Sequence, residues 1–178
     1  KGKKILEPKD IQTRPLKDLT KESIFNIINH SNKFKINVSN AIVLDLFSGV
    51  GSFGLECLSR GVNEVIFVEN YLGVLPILKK NLANLKTIDN YSIIEEDIFN
   101  KNFLSNLKKN FDIIFLDPPY KMKNISELLN KIRIFKLLNN NGIIILHRHK
   151  DEEENFAINF KIVENKKYGI SKIMFISH

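Results

Sequence analysis

Five short apolar runs alternate with amphipathic segments along most of the chain, and this alternation constrains the fold more than any other feature of the sequence. Rich in Ile, Val, Leu and Phe, the apolar runs predict buried strands at 41–46, 64–68, 91–95, 111–116 and 143–146. The segments between them predict helices at 52–59, 72–85, 103–109 and 126–138. Strands that alternate with helices form a doubly wound, mostly parallel sheet with helices on both faces, which is an α/β fold. Ligands bind to such a sheet at the carboxyl ends of its strands.

The two ends of the chain depart from this alternation. Apolar residues at helical spacing, among them Leu19 and Phe25, predict a helix over 18–30, which Asp18 or Thr20 would cap. Two runs near the C-terminus, 160–163 and 170–176, are separated by a short Lys-rich turn, so they predict an antiparallel hairpin and make the sheet mixed and seven-stranded. We expect one domain over residues 18–178, preceded by a basic arm over residues 1–17.

The composition limits the classes of protein to which the chain can belong. Its 178 residues include 27 Lys and Arg against 20 Asp and Glu, a net charge of +7 that permits a polyanionic partner without establishing one. The single cysteine, Cys57, excludes a disulfide framework and a Cys-built zinc site within this chain. No apolar run approaches the roughly 18 residues of a membrane span, and no signal-peptide pattern opens the chain. We therefore expect a cytoplasmic monomer that binds neither a metal nor a membrane.

A glycine-rich turn follows the first predicted strand. Gly49, Gly51 and Gly54 match the pattern G-x-G-x-x-G between a strand and a helix, and Glu69 lies 20 residues after Gly49, at the end of the second strand. This spacing is typical of a nucleotide-binding loop in which the acid holds a ribose. Asp45 at the mouth of the loop would oppose a pyrophosphate on the helix N-terminus. The loop therefore favours the cationic, phosphate-free S-adenosylmethionine (SAM) over NAD.

A second acidic position follows the third predicted strand. Asp97 can accept a hydrogen bond from the amino group of an adenine, or it can cap a helix that begins at Phe99. Both interpretations remain open from the sequence.

The turn Asp117-Pro-Pro-Tyr120, directly after the fourth strand, is the most informative stretch of the sequence. Its prolines fix φ and remove two N–H donors, so the Asp117 carboxylate and the Pro118 carbonyl stay available as acceptors. An exocyclic base amine offers two hydrogens to these acceptors, and its ring can stack on Tyr120. Holding both hydrogens orients the nitrogen lone pair toward an electrophilic methyl group for in-line transfer. We therefore predict Asp117, Pro118 and Tyr120 as catalytic residues.

With these motifs the chain resembles the bacterial RsmD-type methyltransferases, which modify N2 of guanine in small-subunit ribosomal RNA. The turns Asp45-Leu-Phe-Ser-Gly-Val-Gly51 and Asp117-Pro-Pro-Tyr120 carry the resemblance, which extends over almost the whole chain. Further segments narrow it to this family: Thr13-Arg-Pro15, Glu22-Ser-Ile-Phe-Asn26, Gly54-Leu-Glu-Cys-Leu-Ser-Arg-Gly61, Phe67-Val-Glu69 and Lys167-Tyr-Gly-Ile170. The resemblance implies a Rossmann-like class I SAM-dependent methyltransferase fold, SAM as cofactor, and 16S ribosomal RNA or the small ribosomal subunit as partner.

The resemblance also implies roles for individual residues. Those that would bind SAM at its methionine end are Asp45, Phe47, Gly49 and Gly51, followed by Glu69 at the ribose and Asp97 with Ile98 at the adenine. Those that would hold a flipped guanine are Asp117, Pro118 and Tyr120, and those that would contact RNA are Arg14, Lys17 and Lys121. The family often has an acid after the fifth strand, where this chain has Leu146-His-Arg-His149; we interpret these histidines as part of a solvated turn.

Two other classes of function share some of these features. DNA adenine-N6 and protein-glutamine methyltransferases present the same kind of acceptors to an amine, and methyl transfer to DNA or to a peptide would support them. A catalytically idle, SAM-responsive RNA-binding assembly factor would bind without turnover. A pure binder has no need of an amine-orienting turn, so Asp117 and Tyr120 argue against that class.

Overall fold

Seven strands form one mixed sheet in the computed structural model, which describes residues 5–7, 16–153, 156 and 160–177. The strands are β1 (Ile42–Leu46), β2 (Glu64–Val68), β3 (Tyr91–Ile94), β4 (Phe111–Leu116), β5 (Leu138–His149), β6 (Lys161–Tyr168) and β7 (Ser171–Ser177). The helices are α1 (Asp18–His30), α2 (Ser52–Ser59), α3 (Leu75–Ala83), α4 (Phe103–Asn106) and α5 (Ile125–Ile134), with a short 3-10 turn at Val38–Asn40. The alternation of strands and helices confirms the predicted α/β fold.

The strand order β3-β2-β1-β4-β5-β7-β6 defines where a ligand can bind. Parallel pairing joins β1 to both β2 and β4, and β4 to β5. The last strand, β7, lies antiparallel between β5 and β6, which confirms the predicted hairpin. The order of the chain reverses between β1 and β4, so the carboxyl ends of these two strands flank the topological switch point of the sheet.

Buried side chains cover both faces of the sheet in two clusters. One face packs against α1, α2 and α3 through residues such as Phe25, Leu58 and Leu78. The other face packs against α4 and α5 through residues such as Leu104 and Leu128. Alternate residues of each strand belong to opposite clusters, because successive side chains of a strand point to opposite faces.

Helix α1 has the predicted bounds, but two expectations about it are wrong. No side chain caps its first turn: the helix begins after Lys17, and Asp18 pairs instead with Lys21 at 2.8 Å. Leu19 is 79% exposed, whereas Phe25 is fully buried. The buried side chains of α1 therefore begin at Thr20, one residue after Leu19.

The largest correction to the predicted elements concerns β5, which spans 138–149 rather than 143–146. Its first residue, Leu138, already pairs with Phe111, and the register shifts before Ile113 meets Ile143. Beyond Leu146 the strand continues because it pairs with β7. Consequently α5 ends early, at Ile134. Likewise, β6 is longer than predicted: it extends to Tyr168 and includes the Lys-rich segment that was predicted as a turn.

Two short parts of the predicted arm lie against the glycine-rich turn and α3. Asn81 of α3 is buried; its Oδ1 accepts a hydrogen bond from Leu6 N at 2.9 Å, and its Nδ2 donates to Leu6 O and to Val50 O. Ser52 Oγ donates to Leu16 O at 3.3 Å. Most of the predicted arm over residues 1–17 lies outside the described residues, and its role stays a prediction.

Candidate active site

Side chains from four neighbouring strands meet at the carboxyl edge of the sheet. Asp45 lies on β1, Glu69 follows β2, Asp117 follows β4, and His147 lies near the end of β5. The parallel registers bring these positions level with one another, since Leu46 pairs with both Val68 and Leu116, and Leu116 pairs with Leu146. The predicted location of the site, at the switch point, agrees with this placement.

The backbone of the glycine-rich turn adopts left-handed conformations. Gly49 has a φ of 54° and Gly51 a φ of 84°, a region that glycine enters without steric cost. Phe47 has a φ of 61° although it is not a glycine, so the turn carries some backbone strain there. Gly51 also has no room for a side chain, because a Cβ would lie 2.6 Å from Leu78 Cδ1.

Asp45 is buried behind the turn. Its Oδ2 accepts a hydrogen bond from Gly54 N at 3.0 Å. Burial raises the pKa of Asp45 well above its ordinary value, and the charges of Asp117 and Glu69 raise it further, against the lowering effect of the Gly54 hydrogen bond. Among the residues that the structure describes, the charges that shift the pKa of Asp45 are both negative, so a cationic ligand would favour the ionised carboxylate.

Glu69 ties the end of β2 to the glycine-rich turn. Its Oε2 accepts from Gly49 N at 2.7 Å, and its Oε1 accepts from Asn70 N at 2.9 Å and from Tyr71 N at 2.8 Å. Ser48, which the sequence analysis did not single out, makes a second link: it is buried, its Oγ lies 2.6 Å from Asp45 O, and it accepts from Val68 N at 2.9 Å. The predicted contact of Glu69 with a ribose stays a prediction.

Asp97 closes a tight turn after β3. Its Oδ1 accepts from Phe99 N at 2.9 Å, but α4 begins only at Phe103, so this bond closes a turn and the interpretation of Asp97 as a helix cap is wrong. Asp97 itself is exposed and Ile98 is buried, while the rings of Phe47 and Phe99 lie 6.4 Å apart beside them. The predicted contacts of Asp97 and Ile98 with an adenine stay predictions.

The interpretation of His147 and His149 as a solvated turn is wrong. Both residues belong to β5, and His147 is only 8% exposed. His147 Nδ1 lies 2.7 Å from Asp117 Oδ1, and the Tyr120 ring stands edge-on to both imidazoles, with centroids 6.1 Å from His147 and 5.5 Å from His149. The Tyr120 hydroxyl lies 3.3 Å from Ser171 Oγ of β7. The strand continues because β7 pairs with it, and the imidazoles are thereby brought to the Asp-Pro-Pro-Tyr turn.

Arg148, also missed by the sequence analysis, supports this turn from the other face of the sheet. It is 2% exposed, and its guanidinium donates to Pro119 O at 3.1 Å and to Met122 O at 2.8 Å. A carboxylate oxygen of Glu152 lies 3.6 Å away. A charged residue inside an apolar strand is the sequence signal that marks such a position, because burying a guanidinium requires that its donors be satisfied.

The residues predicted to contact RNA are only partly described. Lys17 and Lys121 are exposed, and Arg14 lies outside the described residues. In the part of the chain that the structure describes, no group of three or more His, Cys, Asp or Glu side chains is placed to hold a metal ion. Within the same described residues, no helix is both long enough and apolar enough to cross a membrane.

A family model described as Conserved hypothetical protein 95 matches residues 1–177, which is nearly the whole chain. The chain belongs to this family. Ribosomal RNA small subunit methyltransferase D of Haemophilus influenzae is 31% identical to it over 162 residues, covering 88% of this chain and 79% of that protein. The family is thus the RsmD-type family that the motifs indicated.

Solved structures share the fold of this chain. A conserved hypothetical protein from Streptococcus pyogenes is 26% identical and superimposes with a TM-score of 0.75, over 88% of this chain and 93% of that chain. The rRNA methyltransferase aviRa from Streptomyces viridochromogenes, at 14% identity, shares the fold with a TM-score of 0.73, over 93% of this chain and 86% of that chain. The fold of this RsmD-type chain is the Rossmann-like class I methyltransferase fold, and SAM is the cofactor that this fold implies.

Proposed function

We propose that this chain transfers a methyl group from SAM to the exocyclic N2 amine of a guanine in small-subunit (16S) ribosomal RNA. The observation that carries the proposal is the Asp117-Pro-Pro-Tyr120 turn, supported by His147 and Arg148 at the carboxyl end of β4, beside the glycine-rich turn after β1. Together these residues put acceptors for an amine next to a group of acidic residues that suits a cationic cofactor.

The charges of the site fit SAM. Three carboxylates, those of Asp45, Glu69 and Asp117, lie close enough together that the latter two raise the pKa of Asp45 beyond the effect of burial. When bound, SAM supplies an electrophilic methyl group on a sulfonium and also carries an ammonium and a carboxylate. Its net positive charge therefore offsets part of the repulsion among the three carboxylates of the site.

The acceptors on this chain fit an amine. Asp117 and the Pro118 carbonyl accept the two amine hydrogens, while Tyr120 offers a ring face to the base. This arrangement leaves the nitrogen lone pair directed away from the acceptors, which is the geometry that in-line methyl transfer requires. A base reaches such a site only when it is unpaired or flipped, so loops and single strands of RNA are the favoured substrates.

The choice of ribosomal RNA rests on the family. The Haemophilus influenzae relative is named for the small ribosomal subunit, and the motifs of this chain match that family over nearly its whole length. We propose that the basic arm over residues 1–17, with Arg14 and Lys17, and Lys121 after the catalytic turn contact RNA phosphates. The domain over 18–178 then carries both the cofactor and the target base.

A labelled-methyl assay tests this function. Labelled SAM is incubated with the protein and with unmodified small-subunit rRNA, free or in small-subunit particles, and duplex DNA and a glutamine peptide run in parallel. We expect N2-methylguanosine in the rRNA. Asp117→Ala should abolish transfer and leave SAM affinity within about threefold, since it removes an acceptor for the amine rather than a cofactor contact.

Each other outcome contradicts a defined part of the proposal. Label in DNA as N6-methyladenine, or in the peptide, would keep the amine chemistry and overturn the substrate. SAM binding without transfer to any substrate would favour the assembly-factor class. A fully active Asp117→Ala variant would overturn the mechanism itself.

A further inference from the structure

An imidazole lies within hydrogen-bond distance of the proposed catalytic carboxylate. His147 Nδ1 lies 2.7 Å from Asp117 Oδ1, a distance typical of a hydrogen bond to an ionised group. The imidazole side chain is 10% exposed and the Asp117 side chain 23% exposed, so water competes only weakly for this contact.

The backbone fixes this contact. Leu116 pairs with Leu146 in the parallel register of β4 and β5, which places the next residue of each strand side by side. On its other side β5 pairs with β7, where His147 lies opposite Ile173. His147 is therefore held between two strands, and the edge-on ring of Tyr120 restricts the orientation of the imidazole.

The inventory of donors determines where the imidazole proton lies. An ionised carboxylate only accepts hydrogen bonds, so a neutral His147 must carry its proton on Nδ1 to make this contact. That donor engages one of the two Asp117 oxygens and leaves the second as an acceptor for an amine.

We propose that His147 is a positioning residue that orients the Asp117 carboxylate toward the target amine. The inference rests on the proposed function, because it assigns a role within the same site. In the reaction, the amine nitrogen forms a bond to the methyl carbon while the carbon–sulfur bond breaks and leaves its electron pair on sulfur. The surplus proton of the methylated amine passes to the second oxygen of Asp117 and from there to water. His147 acts only through Asp117: its donor keeps the acceptor oxygen in place.

Two substitutions at His147 separate the donor from the bulk of the ring. In His147→Asn the amide nitrogen occupies nearly the position of Nδ1 and can still donate to Asp117, whereas His147→Leu fills similar space without a donor. His30→Leu, on the exposed end of α1, is the matched control. The readouts are kcat and KM for SAM with rRNA as substrate, together with urea unfolding of each variant.

We expect His147→Leu to lower kcat about tenfold or more while KM for SAM stays within about twofold, because one hydrogen bond to a charged group is lost from the amine site only. His147→Asn should recover kcat to within about threefold of the unaltered protein. Equal activity of His147→Leu and the unaltered protein would overturn the inference. So would equal losses in the Asn and Leu variants, since that result would mean that the ring matters only for packing.

A nitrogen NMR measurement tests the inference without relying on activity. Imidazole ¹⁵N shifts of the unaltered protein should show His147 protonated at Nδ1, and Asp117→Ala should change that signal. A neutral His147 protonated at Nε2 would overturn the inference whatever the activity. Absence of methyl transfer to any RNA by the unaltered protein would instead overturn the proposed function, so the two failures are distinguishable.

Discussion

We expect Gly54→Ala to destabilise the protein, although helix propensity alone predicts that it stabilises α2. Gly54 lies within α2, where alanine is favoured over glycine by about 1 kcal/mol. A Cβ at this position, however, would lie 2.2 Å from Phe67 Cε1 and 2.9 Å from Asp45 Oδ2. Carbon atoms in ordinary contact are about 3.5–4.0 Å apart, so the Phe67 ring would have to retreat by more than about 1 Å.

The surroundings of Phe67 leave little room for that movement. Its ring is fully buried and stands edge-on to Tyr91 at 6.4 Å, and a Cβ added at Gly51 would lie only 3.4 Å from its Cε1. Overpacking of a tight core costs about 1–3 kcal/mol or more, which exceeds the helix gain. We expect Gly54→Ala to lower the free energy of unfolding by about 2 kcal/mol, or the melting temperature by about 4–8 °C for a chain of this length. The same methyl group displaces Asp45, so SAM affinity should fall about tenfold or more.

Urea unfolding followed by circular dichroism measures the first effect, and calorimetric titration with SAM measures the second. Gly61→Ala is the control: its φ is +78°, and apart from its two neighbours in the chain no described residue has an atom within 4 Å of the added Cβ. That substitution should cost only about 1 kcal/mol of backbone strain and leave SAM affinity unchanged. A Gly54→Ala variant as stable as the unaltered protein would refute the packing argument. Lost stability with unchanged SAM affinity would refute the link between Asp45 and the cofactor.

Two further substitutions test the charges of the site. Burial raises the pKa of Asp45, so the folded state holds its proton more tightly than the unfolded state does; the stability of the unliganded protein should therefore fall as pH rises from the ordinary carboxyl pKa of about 4 through the raised value. Asp45→Asn should flatten this dependence in urea unfolding at a series of pH values, and an unchanged slope would contradict the assignment. Arg148→Met removes the guanidinium that donates to the carbonyl oxygens of Pro119 and Met122. The free energy of unfolding in urea should therefore fall by about 2–4 kcal/mol, and methyl transfer should slow more than SAM binding weakens. Unchanged stability and rate would exclude this support for the turn.

The sequence predicted correctly the helices and strands whose bounds are marked by the residues at their own ends. The bounds of α2, β2 and β4 agree with the prediction because each begins and ends where an apolar run meets glycine or polar residues. The length of β5 was missed because Asn139-Asn-Asn141, in its first part, has poor strand propensity and lies where the register of β5 against β4 shifts, between Leu138 and Ile143. Its last part is held by β7, more than 20 residues further along the chain.

The contact between His147 and Asp117 could have been predicted from the way side chains of β5 alternate between the two faces of the sheet. Ile143 and Ile145 face the same cluster as Ile113 and Phe115, so residues 147 and 117 continue on that face. The missing information was the register of β4 against β5. It depends on a register shift near Gly142 that no local sequence pattern predicts. Arg148, one residue further, faces the opposite cluster and for that reason reaches the back of the turn rather than the carboxylate.

The hydrogen bonds of Glu69 place a carboxylate of the chain itself against the backbone of the glycine-rich turn. In a dinucleotide-binding loop of the same G-x-G-x-x-G spacing, backbone N–H groups and the start of the following helix attract a phosphate. Here Gly49 N donates to the Glu69 carboxylate at 2.7 Å, and Asp45 receives the Gly54 N–H at 3.0 Å. Two amides of the loop thus already donate to carboxylates of the chain and are not available to a phosphate. We therefore expect this loop, despite its dinucleotide-type spacing, to disfavour a phosphate and to favour a cationic ligand.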